Sequence, residues 1–355
     1  MHPEPGERAG PLTKWVVTRR ANLADRHYVA FAAAGAADVA IVTGPPDGHS
    51  FGERLRAMVR AERPAGLVIL GSGAIPLATT PDLGAFVAAA GDERPIALAN
   101  NRYSADVVAI ARAEALADLP DLPGDNALPR WLEEVAGYEV NDLRRRWRLA
   151  IDIDGPLELV LLGDHGPAGI DLRPLEARMT LLRAVAADRR AELLVSGRTS
   201  PATLTWLERA ATARVRAFVE ERGLRAASRL AHGNGNVEGV PGARRRPPAS
   251  LLGALLDRDG PASLGEHLAN LADAAMVDSR VLLAHRLGPD EAAWPAPEDR
   301  FASDLHLPDR IADPWLRALT ASATEAPIPI LLGGHSLVGP GIRLLLRPEG
   351  RRQWT

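Results

Sequence analysis

The chain has 355 residues, 46% of them hydrophobic, and a net charge of −3, which allows two domains with cores of their own and excludes a disordered protein. Near-balanced charge excludes a strong overall field for nucleic acid or an anionic membrane and leaves small anions to local arginines. Cysteine is absent, so disulfides, thiolate zinc sites and cysteine nucleophiles are excluded, and any metal must sit on oxygen or imidazole.

Residues 1–12, rich in Pro, Gly and Glu, read as a flexible leader without the apolar core of a signal peptide. No later run reaches transmembrane length, so a cytoplasmic protein is expected. Lys14 is the only lysine and alanine is abundant, which points to a GC-rich bacterial gene.

Trp15-Val16-Val17 predicts a short strand, followed by the loop Thr18-Arg19-Arg20-Ala21-Asn22. Arg19 and Arg20 can grip phosphate there by charge and bidentate bonding, or stand as a solvated basic turn. A helix is expected from Asn22 to Ala34, a strand from Asp38 to Val42, a helix from Phe51 to Ala61 and a central strand from Gly66 to Leu70. Such alternation argues for an open α/β layer with ligand beyond the carboxyl ends of the strands. The loops after strands therefore matter most: Gly71-Ser72-Gly73 before a helix at Pro81 to Ala90, and Asn100-Asn101-Arg102-Tyr103-Ser104-Ala105-Asp106 between strands at Ile96 to Ala99 and Val107 to Ile110. Asn100, Asn101, Ser104 and Asp106 offer amides, a hydroxyl and an acid to a base or acceptor phosphate, or form an ordinary polar turn. A helix from Pro129 to Val135 and an arginine-rich run from Asn141 to Trp147 follow.

In Arg148 to Leu159, Leu149, Ile151 and Ile153 alternate with Ala150, Asp152 and Asp154, so a strand is expected to carry two carboxylates along one side. It ends at Gly155, a helix N-cap, with Pro156 at the first helical position and Glu158 at the third. Asp152-Ile153-Asp154-Gly155-Pro156-Leu157-Glu158-Leu159 resembles the Asp-Ile-Asp-Thr-Pro-x-Asp-Leu signature of the molybdenum-cofactor and phospholactate guanylyltransferases and their relatives, and residues 13–162 can be laid on that fold in order. Gly155 stands where the family has Thr, and Glu158 where it has Asp. The family's metal-binding acid near Ser72 and its glycine-rich loop after the first strand have no counterpart here.

The resemblance implies an open Rossmann-like mixed sheet of the nucleotidyltransferase (GT-A) type over residues 13–165. It also implies Mg2+ held by Asp152 and Asp154, a nucleoside triphosphate donor and a small-molecule acceptor. Arg19, Arg20, Gly71, Ser72, Gly73, Asn100, Asn101, Ser104 and Asp106 would be the binding residues. Nucleic acid and membrane are not expected as partners, and a homo-oligomer is allowed.

The turn residues 163–169 mark the expected domain boundary, and residues 170–355 read as a second α/β domain, with a mobile loop at 231–248. Helices are expected at Leu175 to Ala187, Pro201 to Ala211, Leu251 to Leu256 and Leu264 to Ala274, and strands at Glu192 to Val195, Arg214 to Val219, Met276 to Ala284 and Pro327 to Leu332. Arg244-Arg245-Arg246 reads as an anion contact or a solvated loop. Glu298, Asp299, Asp304 and His306 form a polar cluster without a recognised metal spacing, and His335 beside Ser336 reads as a tight turn.

Three functions compete: transfer of a nucleotidyl group to a phosphorylated acceptor with release of pyrophosphate, an inactive binding descendant of that fold, and a nucleotide-sugar glycosyltransferase.

Overall fold

A computed structural model describes residues 2–3, 9–44, 48–122, 124–221 and 249–347. The chain is α/β and divides into two compact units, 1–154 and 155–355. The expected mobile loop, with Arg244 to Arg246, and residues 1 and 4–8 of the leader lie outside the described residues.

Unit 1 runs β1 (His2–Pro3), α1 (Pro11–Ala33), β2 (Thr43–Gly44), α2 (Phe51–Glu62), β3 (Leu67–Leu70), α3 (Thr80–Ala90), β4 (Ile96–Ala99), β5 (Val107–Ile110), α4 (Leu128–Glu134) and β6 (Glu139–Asp142). Its main sheet has the order β3-β5-β4-β6, with β5 antiparallel to both neighbours and β4 parallel to β6. Every residue of β5 is buried, because the strand is covered on both faces. Val108 and Ile110 enter a core with Leu55, Val59, Leu128 and Leu132, whereas Val107 and Ala109 meet Phe31, Leu83 and Phe86. This is the two-residue alternation of a strand sandwiched between helical layers.

Three expected strands of unit 1 are absent. Trp15 to Val17 lies inside α1, with Pro11 at its first turn. Leu12, Trp15, Val16, Leu23, His27 and Phe31 recur at helical spacing and form its buried stripe, so burial prevails over the β propensity of the Trp-Val-Val run. Asp38 to Val42 is irregular, and β2 pairs only with β1. The third correction is at Leu149 to Asp154. Trp147 to Ala150 makes a 3-10 turn, and the extended remainder forms a single antiparallel bridge, Ala74 to Asp152.

Unit 2 runs α5 (Pro156–Leu161), α6 (Arg173–Ala186), β7 (Glu192–Gly197), α7 (Pro201–Ala210), β8 (Arg214–Val219), α8 (Leu251–Asp259), α9 (Leu264–Ala269), β9 (Ala274–Asp278), α10 (Ser279–Leu287), α11 (Pro297–Asp304), α12 (Pro314–Glu325), β10 (Ile330–Gly333), α13 (His335–Val338) and α14 (Ile342–Leu345). The sheet is wholly parallel in the order β10-β9-β7-β8. Chain order reverses between β7 and β9, the switch point of this topology.

The expected strand from Met276 to Ala284 stops at Asp278. That carboxylate accepts from the Arg280 backbone and caps α10, so the chain turns helical where the apolar run continues. The boundary also moves from 163–169 to between Asp154 and Gly155. All six residues of α5 are buried, against α11 and α13, which assigns it to unit 2.

Candidate functional site

Because β3 and β4 point the same way and β5 runs back between them, the loop after β3, the loop after β4 and the start of β5 share one edge of the unit 1 sheet. The Gly71 amide donates to the Asp106 carbonyl at 3.1 Å. The segment 151–153 is tied to the same edge: the Ile75 amide donates to the Ile151 carbonyl at 3.1 Å, and the Ile153 amide to the Gly73 carbonyl at 3.0 Å. Asp106, Asp152 and Asp154 are thereby gathered from two distant stretches of sequence.

Gly73 is required by this approach. A Cβ there would stand 2.7 Å from Asp152 Oδ1, 2.9 Å from the Ile153 carbonyl and 3.1 Å from Arg20 Nε. Arg20 reaches in from α1, where its Nε donates to the Ile153 carbonyl at 2.5 Å and its guanidinium stands 3.5 Å from Asp154. Arg19 and Arg20 are therefore helical residues, and the expected basic loop does not exist.

Asn100 is a strut. Its Nδ2 donates to Asp106 Oδ2 at 2.8 Å and to the Leu149 carbonyl at 2.9 Å, and its Oδ1 accepts from the Asp106 and Val107 amides at 3.0 and 3.3 Å. Those bonds use both donors and both lone pairs of a 2% exposed side chain, so Asn100 has nothing left for a base or acceptor. Asn101 closes a local turn by accepting from the Tyr103 amide at 3.0 Å, and Ser104 is exposed.

The carboxyls disturb one another. Burial pushes Asp106 up to about 7, helped by the charges of Asp154 and Asp125 against the Asn100 hydrogen bond. Burial also raises Asp152 well above the usual carboxylate range, with Asp154 and Asp106 adding to it and Arg20 opposing. One guanidinium does not neutralise three acids, so this edge holds protons near neutrality or attracts a cation.

Among the described residues, no three His, Cys, Asp or Glu converge on one metal position. Magnesium does not demand such a cage, since it is commonly held by one or two carboxylates, water and substrate phosphate. Asp152, raised by burial and by the Asp154 charge, and the exposed Asp154 fit that mode through hard oxygen donors.

Neither family models, curated proteins nor solved structures gave a match to the chain.

The second half of the Asp152 to Leu159 stretch serves unit 2. The Gly155 amide donates to Glu158 Oε2 at 2.8 Å, the cap expected from the sequence. A Cβ on Gly155 would stand 3.1 Å from Asp304 Oδ2, so a larger residue would crowd that carboxylate. Asp304 takes both ends of the buried Arg280 guanidinium, with Nη2 to Oδ2 at 2.6 Å. Burial lowers Arg280, but Asp304 first, then Glu158 and Asp278, raise it on balance.

At the switch point, Arg198 follows β7 and grips Asp278 at 2.6 and 3.1 Å. Burial raises Asp278, yet Arg198, His335 and Arg280 hold it below the usual range. Arg198 was not distinguished in the sequence, although its place between Gly197 at a strand end and the helix cap Ser200 is a signal.

The cluster of Glu298, Asp299, Asp304 and His306 disperses. Asp299 accepts from the Ala312 and Asp313 amides, Asp304 from Arg280, and His306 Nδ1 meets Thr324 Oγ1 at 3.0 Å.

Proposed function

We propose that unit 1 is a divergent nucleotidyltransferase of the Rossmann-like type, in which Asp152 and Asp154 hold Mg2+ and a nucleoside triphosphate donates its nucleotidyl group to a phosphorylated small acceptor. The observation that carries this is the gathering of Asp106, Asp152 and Asp154 at one sheet edge with their charge only partly offset by Arg20. Bound Mg2+ would neutralise phosphate oxygens as charge moves to the leaving pyrophosphate. Arg20 orients the acids through the Ile153 carbonyl and Asp154, Gly73 leaves room for that approach, and Asn100 fixes Asp106. An acceptor already ionised as phosphate requires no protein base, so the chain contributes positioning and electrostatics.

An inactive nucleotide-binding descendant is the second reading. It is favoured by the helical path of Thr18 to Asn22, where the resembled family has a glycine-rich loop, and by the saturation of Asn100.

Thermal unfolding with GTP, ATP, CTP and UTP, with and without Mg2+, tests the proposal in the parent and in Asp154→Asn, a change at an exposed side chain. A triphosphate at 100 times its Kd should stabilise by about 2.7 kcal/mol. A Mg2+-dependent rise with one triphosphate, lost in the variant, is expected. Absence of any nucleotide shift in the parent overturns both readings. A shift without turnover to pyrophosphate leaves the inactive descendant.

A further inference from the structure

The parallel sheet of unit 2 has two edges of different character. Every residue of β10, the strand at one end, is buried. At the other end β8 pairs with β7 over all six of its residues and has no strand on its far side among the described residues. None of the six is buried: Arg214, Arg216, Ala217 and Val219 are exposed, and Val215 and Phe218 are half-buried. Val219 is 55% exposed, an apolar side chain beside an open backbone ladder. Such an edge is a template for another strand unless it is covered or blunted by charge.

The Arg214 amide donates to the Ala191 carbonyl at 2.9 Å and the Glu220 amide to the Gly197 carbonyl at 3.0 Å, so the even-numbered residues turn their backbone groups toward β7. Val215, Ala217 and Val219 therefore turn theirs outward. Arg214, Arg216, Phe218 and Glu220 share one face of the strand, and Val215, Ala217 and Val219 the other. A two-fold axis perpendicular to a sheet reverses strand direction and keeps each face on its own side, so it passes through a residue that faces itself. Placed at Ala217, it sets Arg214 against Glu220 of a second copy, Arg216 against Phe218 and Val215 against Val219. These are opposite-charge, cation–π and apolar pairs, all favourable across strands. An axis at Arg216 would instead oppose two like charges. Arginines on an edge ordinarily discourage pairing, but Arg216 is matched by Glu192 at 2.9 Å within its own chain. Glu220, held by Ser250 Oγ and the Leu251 amide, is fixed where Arg214 of the second copy would meet it.

We propose that β8 pairs antiparallel with β8 of a second copy about a two-fold axis at Ala217, joining two four-stranded sheets into one. Val215, Ala217 and Val219 supply the hydrogen-bonded pairs, each exchanging two backbone bonds. The surface is self-complementary, as a two-fold interface requires. A strand pair alone falls short of a standard interface in area, so the dimer dissociates on dilution. Neither Mg2+ nor a nucleotide enters the pairing, so failure of the transferase reading leaves it untouched.

Analytical ultracentrifugation of the full chain across a concentration series tests this, and a monomer–dimer equilibrium is expected. Ala217→Pro removes an N–H that faces away from β7, so it should abolish the dimer with circular dichroism unchanged. Arg214→Glu, which opposes two acids, should weaken dimerisation about tenfold or more. The chain has no cysteine, so Ala217→Cys places a single thiol at the axis, where oxidation should link two copies, whereas Glu208→Cys at an exposed position of α7 should leave them unlinked. A parent that stays monomeric to its solubility limit, a dimer that survives Ala217→Pro, or failure of Ala217→Cys to link overturns the proposal. A monomer whose Val215, Ala217 and Val219 amides exchange slowly also overturns it, because another part of the chain then covers the edge. The thiol reads the surface of the folded protein, whatever Ala217→Pro does to folding.

Discussion

Asp106→Asn should stabilise unit 1 at alkaline pH and do little in acid. Asp106 is ordinarily a group of pKa 3.8 and is pushed up to about 7, chiefly by burial. Between those values the folded state holds a proton that the unfolded chain has released, so stability falls as pH rises through this window and levels off above about 7. At about 1.36 kcal/mol per pH unit, the ceiling on that loss is about 4 kcal/mol. Coupling to Asp152, whose own carboxyl Asp106 helps to raise, lowers what one substitution recovers, and about 2–4 kcal/mol at pH 8 is the expected gain. Asparagine keeps an oxygen for the Asn100 Nδ2 and removes the charge. The assay is urea unfolding at pH 4 and pH 8, with hydrogen exchange of the Val107 to Ile110 amides reporting unit 1. A variant no more stable than the parent at pH 8, or one with the same difference at both pH values, refutes the electrostatic account of this edge.

Asp82, buried at the start of α3, is raised by burial but held below the usual range by Thr79, Arg146 and Arg148, so its contribution is present above pH 3.8 and is lost as pH falls through its lower folded value. Asp82→Ala should cost about 2–4 kcal/mol in urea unfolding and Asp82→Asn less, because the amide can still cap Thr79. In unit 2, Arg280→Met should cost about 3–5 kcal/mol by stranding Asp304, and adding Asp304→Leu should recover much of it; additive losses in a double-mutant cycle would contradict this. Gly197→Ala should destabilise by about 2 kcal/mol or more, since Gly197 has φ +132° and its Cβ would stand 2.2 Å from that of Asp278. Gly84→Ala, facing open space in α3, should instead stabilise by about 0.5–1 kcal/mol on thermal melting.

Features set by local chemistry were readable from the letters. The Gly155-Pro156-Glu158 cap and the strand Arg214 to Val219 stand where they were expected, as do the strands Ile96 to Ala99 and Val107 to Ile110 on either side of the Asn100 loop. Features set by distant partners were not. Trp15-Val16-Val17 is as good a strand as a helix until Leu12, Leu23 and Phe31 are known to share its buried face. Asp38 to Val42 has a strand's composition but no partner strand. Asp152 and Asp154 were legible as a pair, and Asp106 as a polar loop end, but their meeting depends on the Gly73 and Ile153 contacts.

The peptide bond between Asp154 and Gly155 is where the gene can be divided. A half ending at 154 keeps its acidic edge complete, and a half beginning at 155 keeps a helix whose every side chain is buried. Dividing instead at 163–169 would append that helix as a sticky apolar tail to the first half and deprive the second of part of its interior. Eight consecutive letters that look like one device thus supply acids to one folding body and a cap to the other. Complementation between two separately expressed halves, with the seam placed at 154, is the natural way to ask what each contributes.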